Sequence, residues 1–171
     1  SLATAKIIQQ QLAKRSNIIN LIAETGGINC LIADSSALTE HVVQDVVDSG
    51  FNSSGQRCSA CRILCIEEHV YDKTLKMLKG AIETLDVNNP EFLSTDIGPV
   101  IDASSKEKIL NHINSFSHTY QTKIIPKEGN YVPPTIIEIS ALKEIKEEIF
   151  GPVVHIISYK AKDTKQLCQE I

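Results

Sequence analysis

The chain has 171 residues, 17 Lys plus Arg against 21 Asp plus Glu for a formal charge of -4, and 42% hydrophobic residues. That describes one soluble globular domain, or a large piece of one. No Lys/Arg tract supplies the counterion release that drives nucleic-acid binding, and no apolar run approaches the ~18 to 20 residues of a membrane span.

Nothing at the N-terminus reads as a signal peptide. Five cysteines, at Cys30, Cys58, Cys61, Cys65 and Cys168, make an odd count without the spacing of a secreted disulfide scaffold, which favours a reducing, cytoplasmic setting. Trp is absent and aromatics are only 5%, so the core must come from Ile, Leu, Val and Ala.

In chain order, Leu2, Ala5, Ile8 and Leu12 recur at helical spacing, with Ser1 as N-cap and Lys14-Arg15 where the helix dipole favours cations. Residues 18–23 and 30–33 read as short strands split by Gly26-Gly27, and Ser35-Ser36 introduce a helix with Leu38, Val42 and Val46 on one face. After a polar loop over 52–56, residues 62–66 read as a buried strand, and Leu75, Leu78, Ile82 and Leu85 mark a second amphipathic helix. A helix over 106–116 is announced by a capping box of Ser104 with Glu107 and carries Ile109, Leu110 and Ile113 inward. Strands follow over 122–125, 135–139 and 153–159, and Asp163 with Gln166 starts a last helix. This alternation predicts an α/β fold, a layered open sheet with helices on both faces. Both ends read as cut, each inside a structural unit.

Three segments could carry chemistry. Gly55-Gln56-Arg57-Cys58-Ser59 places a cysteine between a helix and a strand, where N–H groups and a cation such as Arg57 would favour the thiolate; the bland alternative is a small half-buried cysteine. Cys58 and Cys61 have the spacing of a zinc knuckle, but no second Cys/His pair completes a closed site, so no metal is expected. Glu24, in Ala23-Glu24-Thr25-Gly26-Gly27, ends an apolar run beside two glycines, a place suited to a general base or simply to a solvated loop carboxylate. Glu147-Glu148-Ile149-Phe150-Gly151-Pro152-Val153 runs an acidic pair into an aromatic and a Gly-Pro turn, which alone could be a helix stop before a strand.

Together and in this order, the three segments closely resemble the aldehyde dehydrogenase superfamily. Asn89-Pro90, Ile97-Gly98-Pro99-Val100-Ile101-Asp102 and Tyr131-Val132-Pro133-Pro134-Thr135 extend the resemblance over nearly the whole chain. Asp34-Ser35-Ser36-Ala37-Leu38 and Gly55-Gln56-Arg57-Cys58-Ser59-Ala60 are most similar to the glutamate-semialdehyde (pyrroline-5-carboxylate) dehydrogenase branch that occurs in bifunctional proline-catabolic flavoenzymes.

The resemblance implies that Cys58 is the nucleophile, passing through a thiohemiacetal and a thioester, and that Glu24 activates the hydrolytic water. It implies NAD as cofactor, with Glu148 on the nicotinamide ribose, Phe150 beside the nicotinamide and Ser1 at the pyrophosphate turn. Ser59 would help hold the substrate's carboxylate. Residues 1–26 would end the cofactor-binding domain and 27–171 would form the catalytic (thiol) domain, truncated at its C-terminal end. The family's oxyanion-hole asparagine and the adenosine-binding portion would lie outside the chain, as would the FAD-dependent proline dehydrogenase half. The parent is expected to be a homo-oligomer acting on a small-molecule aldehyde, with no nucleic acid bound through this segment. The alternatives are an aldehyde dehydrogenase for another substrate, or a non-catalytic interaction or oligomerisation domain of the same fold. The mechanism requires Glu24 and Cys58 to line one cleft.

Overall fold

The computed structural model describes residues 2–122 and 125–171. Among these residues five strands form one sheet in the order β1-β2-β5-β4-β3. They are β1 (Asn29–Ala33), β2 (Cys61–Glu67), β3 (Thr119–Gln121), β4 (Thr135–Glu138) and β5 (Val153–Tyr159). All neighbours run parallel except the β3/β4 pair at one edge.

The central strands β2 and β5 are apolar almost without interruption because both faces are covered. Leu64, Ile66, Val154 and Ile156 pack under α2 (Thr39–Gly50) and α3 (Tyr71–Glu83), which contribute Val42, Val43, Val46, Leu75, Leu78 and Ile82. Ile63, Cys65, Val153 and Ile157 point the other way, onto Ile109 and Ile113 of α4 (Ala103–Asn114) and Leu167 of α5 (Thr164–Glu170). Alternation of side chains along each strand thus builds two cores, and the expected three-layer α/β arrangement is observed.

Four details differ from the sequence reading. Residues 18–23 form no strand: Ile18 and Ile22 are 99% and 89% exposed, and an apolar run becomes a strand only where another strand pairs with it. The cap of α4 is Asp102, whose Oδ1 accepts from the Ser105 N–H at 2.7 Å, so Ser104 and Glu107 lie inside the helix rather than framing it. Leu38 is the N-cap of α2 and exposed, one position before the buried face begins. The strand expected at 122–125 falls earlier, at β3, and Lys123 and Ile124 lie outside the described residues. The first helix, α1 (Leu2–Leu12), forms as expected but buries nothing, and no described residue before Ala33 is buried.

Candidate active site

The parallel sheet decides where the three candidate segments meet. Gly26-Gly27 precedes β1, Gly55 to Ser59 precedes β2, and Glu148 to Gly151 precedes β5. Because β1, β2 and β5 are adjacent and parallel, all three segments gather at the same edge, outside the amino ends of the strands.

Arg62, at the start of β2, ties two of them together. Its side chain is 2% exposed. Nη1 donates to the Gly151 carbonyl at 3.0 Å, 89 residues away, and Nη2 donates to the carbonyls of Gly55 (2.6 Å) and Arg57 (3.2 Å). Nε faces Glu148 Oε1 at 3.9 Å, an ion pair too long for a hydrogen bond, and both atoms are buried without another partner. The guanidinium also lies 5.3 Å from the centroid of Phe150. Burial lowers the Arg62 pKa, and the Glu148 carboxylate opposes that shift.

Two glycines make the close approach feasible. A Cβ on Gly55, at φ +64, would lie 2.0 Å from the Gly151 carbonyl oxygen, so the nucleophile loop and the Glu148 segment touch backbone to backbone. A Cβ on Gly26, at φ +118, would lie 2.8 Å from Glu148 Oε2, which puts the Glu24 segment against the same carboxylate.

The loop before β2 is fixed along its length. Ser53 and Ser54 adopt left-handed conformations at φ 55 and 54, strained for residues with a side chain. Ser54 Oγ donates to the Gly98 carbonyl at 2.7 Å, and Gln56 Oε1 accepts from the Ile101 N–H at 2.9 Å. Asn29 Nδ2 donates to the carbonyls of Cys58 (2.7 Å) and Ala60 (3.1 Å), which fastens the loop to the strand that follows Glu24.

Against this frame, Cys58, Ser59 and Glu24 are exposed, Glu148 is half-buried and Phe150 is 44% exposed. Ser1 lies outside the described residues. The bland reading of a buried thiol fits Cys61 and Cys65 instead. The Cys61 thiol donates to the Ile63 carbonyl at 3.3 Å, and burial pushes its pKa up to about 11. Cys65 sits with its sulfur 3.4 Å from that of Cys30. Among the described residues no group of three or more His, Cys, Asp and Glu is arranged to hold a metal.

Arg57 does not act as the expected cation beside the thiol. Its guanidinium donates to the carbonyls of Asp48 (2.7 Å) and Ser49 (3.4 Å) at the end of α2, where unsatisfied carbonyls attract a cation. The sequence reading missed Arg62 and Asn29. A charged residue opening an otherwise apolar strand was the available signal for Arg62, because such a residue is buried only with partners. A groove of about 750 Å³ along α4, lined by His112, Phe116 and Glu144 among others, meets the three candidate segments only at Glu147.

Comparison with known proteins bears on the family and the fold. The model of the aldehyde dehydrogenase family matches residues 1–169. The bifunctional protein PutA of Klebsiella aerogenes is 44% identical over the whole chain, which spans only 14% of that relative's length. A 1-pyrroline-5-carboxylate dehydrogenase of Anoxybacillus flavithermus is 38% identical over 84% of the chain and 28% of its own length. Among solved structures, a crystal structure of bifunctional proline utilization A (PutA) superposes on the whole chain, and 18% of its own, with a TM-score of 0.93 at 37% identity. A 1-pyrroline-5-carboxylate dehydrogenase from Thermus with bound NAD gives a TM-score of 0.83 at 28% identity, over 94% of this chain and 33% of its own.

Proposed function

This chain belongs to the aldehyde dehydrogenase family, and from that premise we propose that it is part of an enzyme oxidising L-glutamate γ-semialdehyde to glutamate with NAD. The observation that carries the reading is the convergence of the Glu24, Cys58 and Glu148 segments at one sheet edge through Arg62, Gly55 and Gly26. The named activity of the pyrroline-5-carboxylate dehydrogenase relatives supports the substrate class. The PutA relatives support a bifunctional, proline-catabolic parent whose FAD-dependent half contributes no residue here.

The residues present fit a nicotinamide cofactor. Glu148 offers an acceptor carboxylate to ribose hydroxyls, and its Oε1 is buried with no hydrogen-bond partner of its own. Phe150 leaves part of its ring open for packing. NAD, when bound, supplies the hydride acceptor. The remaining steps belong to this chain. The Cys58 sulfur adds to the aldehyde carbon, and loss of hydride from that carbon leaves a thioester on Cys58. Glu24 then takes a proton from water, the new hydroxyl displaces the sulfur, and the carboxylic acid leaves with the thiol restored. Sulfur suits both steps, as a nucleophile near neutral pH and as a leaving group. Ser59, beside the nucleophile on an exposed loop, donates to the substrate's carboxylate in this reading.

Residues 1–26 end the cofactor-binding domain in this reading and 27–171 form the catalytic domain, consistent with burial beginning only at Ala33. Among the described residues no helix is long and apolar enough to cross a membrane. We assign the parent to the cytoplasm and to a homo-oligomeric state. The test is NADH formation from the semialdehyde by the full-length protein and its Cys58→Ala variant. Turnover in the first and none in the second is expected; turnover retained without the thiol would overturn the reading.

A further inference from the structure

The geometry points to Arg62 as a positioning residue that holds the Glu148 carboxylate, proposed to bind the cofactor, and the nucleophile's loop in one fixed relation. The inference rests on the dehydrogenase reading above. Arg62 is buried at the start of β2, and its three nitrogens divide between the nucleophile loop and the Glu148 to Gly151 segment. Nη2 reaches the backbone of the nucleophile loop at Gly55 and Arg57, the latter adjacent to Cys58. Nη1 reaches Gly151, and Nε faces the Glu148 carboxylate. A planar fork with donors in fixed directions can do this; an ammonium on a flexible stem supplies the charge but not the directions.

The ion pair shows a positioning arrangement. Glu148 Oε1 and Arg62 Nε are each buried, each lack a hydrogen bond, and stand 3.9 Å apart. The guanidinium therefore orients the carboxylate through the buried Oε1, while the side chain stays 15% exposed and its other oxygen, Oε2, is left to accept from a ligand hydroxyl. Gly26 leaves the space beside the other oxygen free, since any Cβ there would sit 2.8 Å from Oε2. Phe150 is placed by the same guanidinium at 5.3 Å, so both residues proposed to meet the nicotinamide nucleoside answer to one cation. Displacing Arg62 would shift the cofactor's seat relative to the thiol, and a small misplacement of reacting groups is costly in rate.

The experiment uses the full-length protein as wild type, Arg62→Lys, Glu148→Gln and the double variant. The expected result is a KM for NAD raised about tenfold in Arg62→Lys, the equivalent of one hydrogen bond to a charged group, with the aldehyde KM within about twofold. The double variant should be little worse than Glu148→Gln alone, because both changes remove one shared interaction. Iodoacetamide should also label Cys58 faster in Arg62→Lys, where the loop loses its anchors, and in Glu148→Gln, which leaves the buried arginine untouched and so reports on the link even if Arg62→Lys folds poorly. A purely structural arginine would lower the thermal midpoint and the yield of active enzyme while leaving the NAD KM unchanged, and that outcome overturns the proposal. Additive losses in the double variant overturn it as well. A wild-type protein that forms no NADH from any aldehyde would refute the dehydrogenase reading instead; the alkylation rates need no turnover and still decide whether Arg62 holds the loop.

Discussion

Gly55 and His155 show how single positions set the terms for this site. At Gly55 the positive φ and the 2.0 Å approach to the Gly151 oxygen leave no room for a methyl group. Gly55→Ala should destabilise the chain by about 2 kcal/mol or more, read from urea unfolding, since strain and a backbone clash add. An unchanged midpoint would mean the two loops are not in contact. His155 lies buried beneath the site. Its Nδ1 donates to the Arg62 carbonyl at 3.0 Å, so its Nε2 is left to accept from His112 Nε2 at 2.8 Å. Desolvation pushes the His155 pKa down to about 4. Because the unfolded chain takes up this proton near pH 6.5 and the folded one only near 4, the contribution of His155, about 3 kcal/mol, is complete above pH 6.5 and is lost as pH falls towards 4. His112 is lowered too, first by burial, and adds in the same direction. The lowered carboxylates Asp34, Glu40, Glu67, Asp102 and Glu138 lose their contributions only below about pH 4.5, so the span from 6.5 to 5 isolates the histidines. The urea midpoint should fall across that span in the wild type and much less in His155→Gln; equal slopes would place the proton uptake elsewhere.

At the scale of elements, periodicity and run length made β2, β4, β5 and the four helices α1 to α4 legible, because burial on two faces or on one helical stripe leaves a direct imprint on residue type. Residues 18–23 carry the same apolar imprint and form no strand, since pairing is a property of neighbours that a local pattern does not contain. The cap of α4 was misread for a related reason. Ser104 and Asp102 are both competent caps, and the choice falls to Asp102 through the extended backbone that aims its carboxylate at Ser105. Hydrogen exchange should separate the elements sharply. The amides of α1, an 11-residue helix that buries nothing, should exchange as nearly free chain in the isolated segment, below the ~12 to 15 residues at which an unsupported helix becomes marginal. Those of β2 should exchange only through global unfolding. Leu64→Ala, at a fully buried position of β2, should cost about 3 kcal/mol in the same unfolding assay. Strong protection of α1 in the isolated segment would show that it docks on a surface not described above.

For the molecule as a whole, three ordered motifs pointed to the chemistry, while the sheet edge that joins them is a consequence of strand order and could not be read from spacing. Arg62 and Asn29 act through contacts across the fold, which is why the motifs flagged their neighbours and not them. The segment spans about 14% of the length of its PutA relatives, and only Glu148 and Phe150 among its described residues are assigned to the dinucleotide. Calorimetry should therefore find NAD binding by the isolated 171-residue chain at least about 100-fold weaker than by the full-length protein, as expected when a dinucleotide is held chiefly at its nicotinamide end. Exposed Leu2, Ile7, Ile8, Ile18 and Ile22 should also make the isolated chain self-associate with rising concentration in sedimentation. The roles of Cys58 and Glu24 in one reaction are tested most directly by trapping the acyl-enzyme. The full-length Glu24→Gln protein is mixed with NAD and L-glutamate γ-semialdehyde, quenched in acid and digested for peptide mass spectrometry. A glutamyl thioester should accumulate on Cys58 in Glu24→Gln and not in the wild type, with steady-state NADH production falling after one turnover. Unmodified Cys58 with undiminished turnover, or an acyl group on another cysteine, would contradict the account.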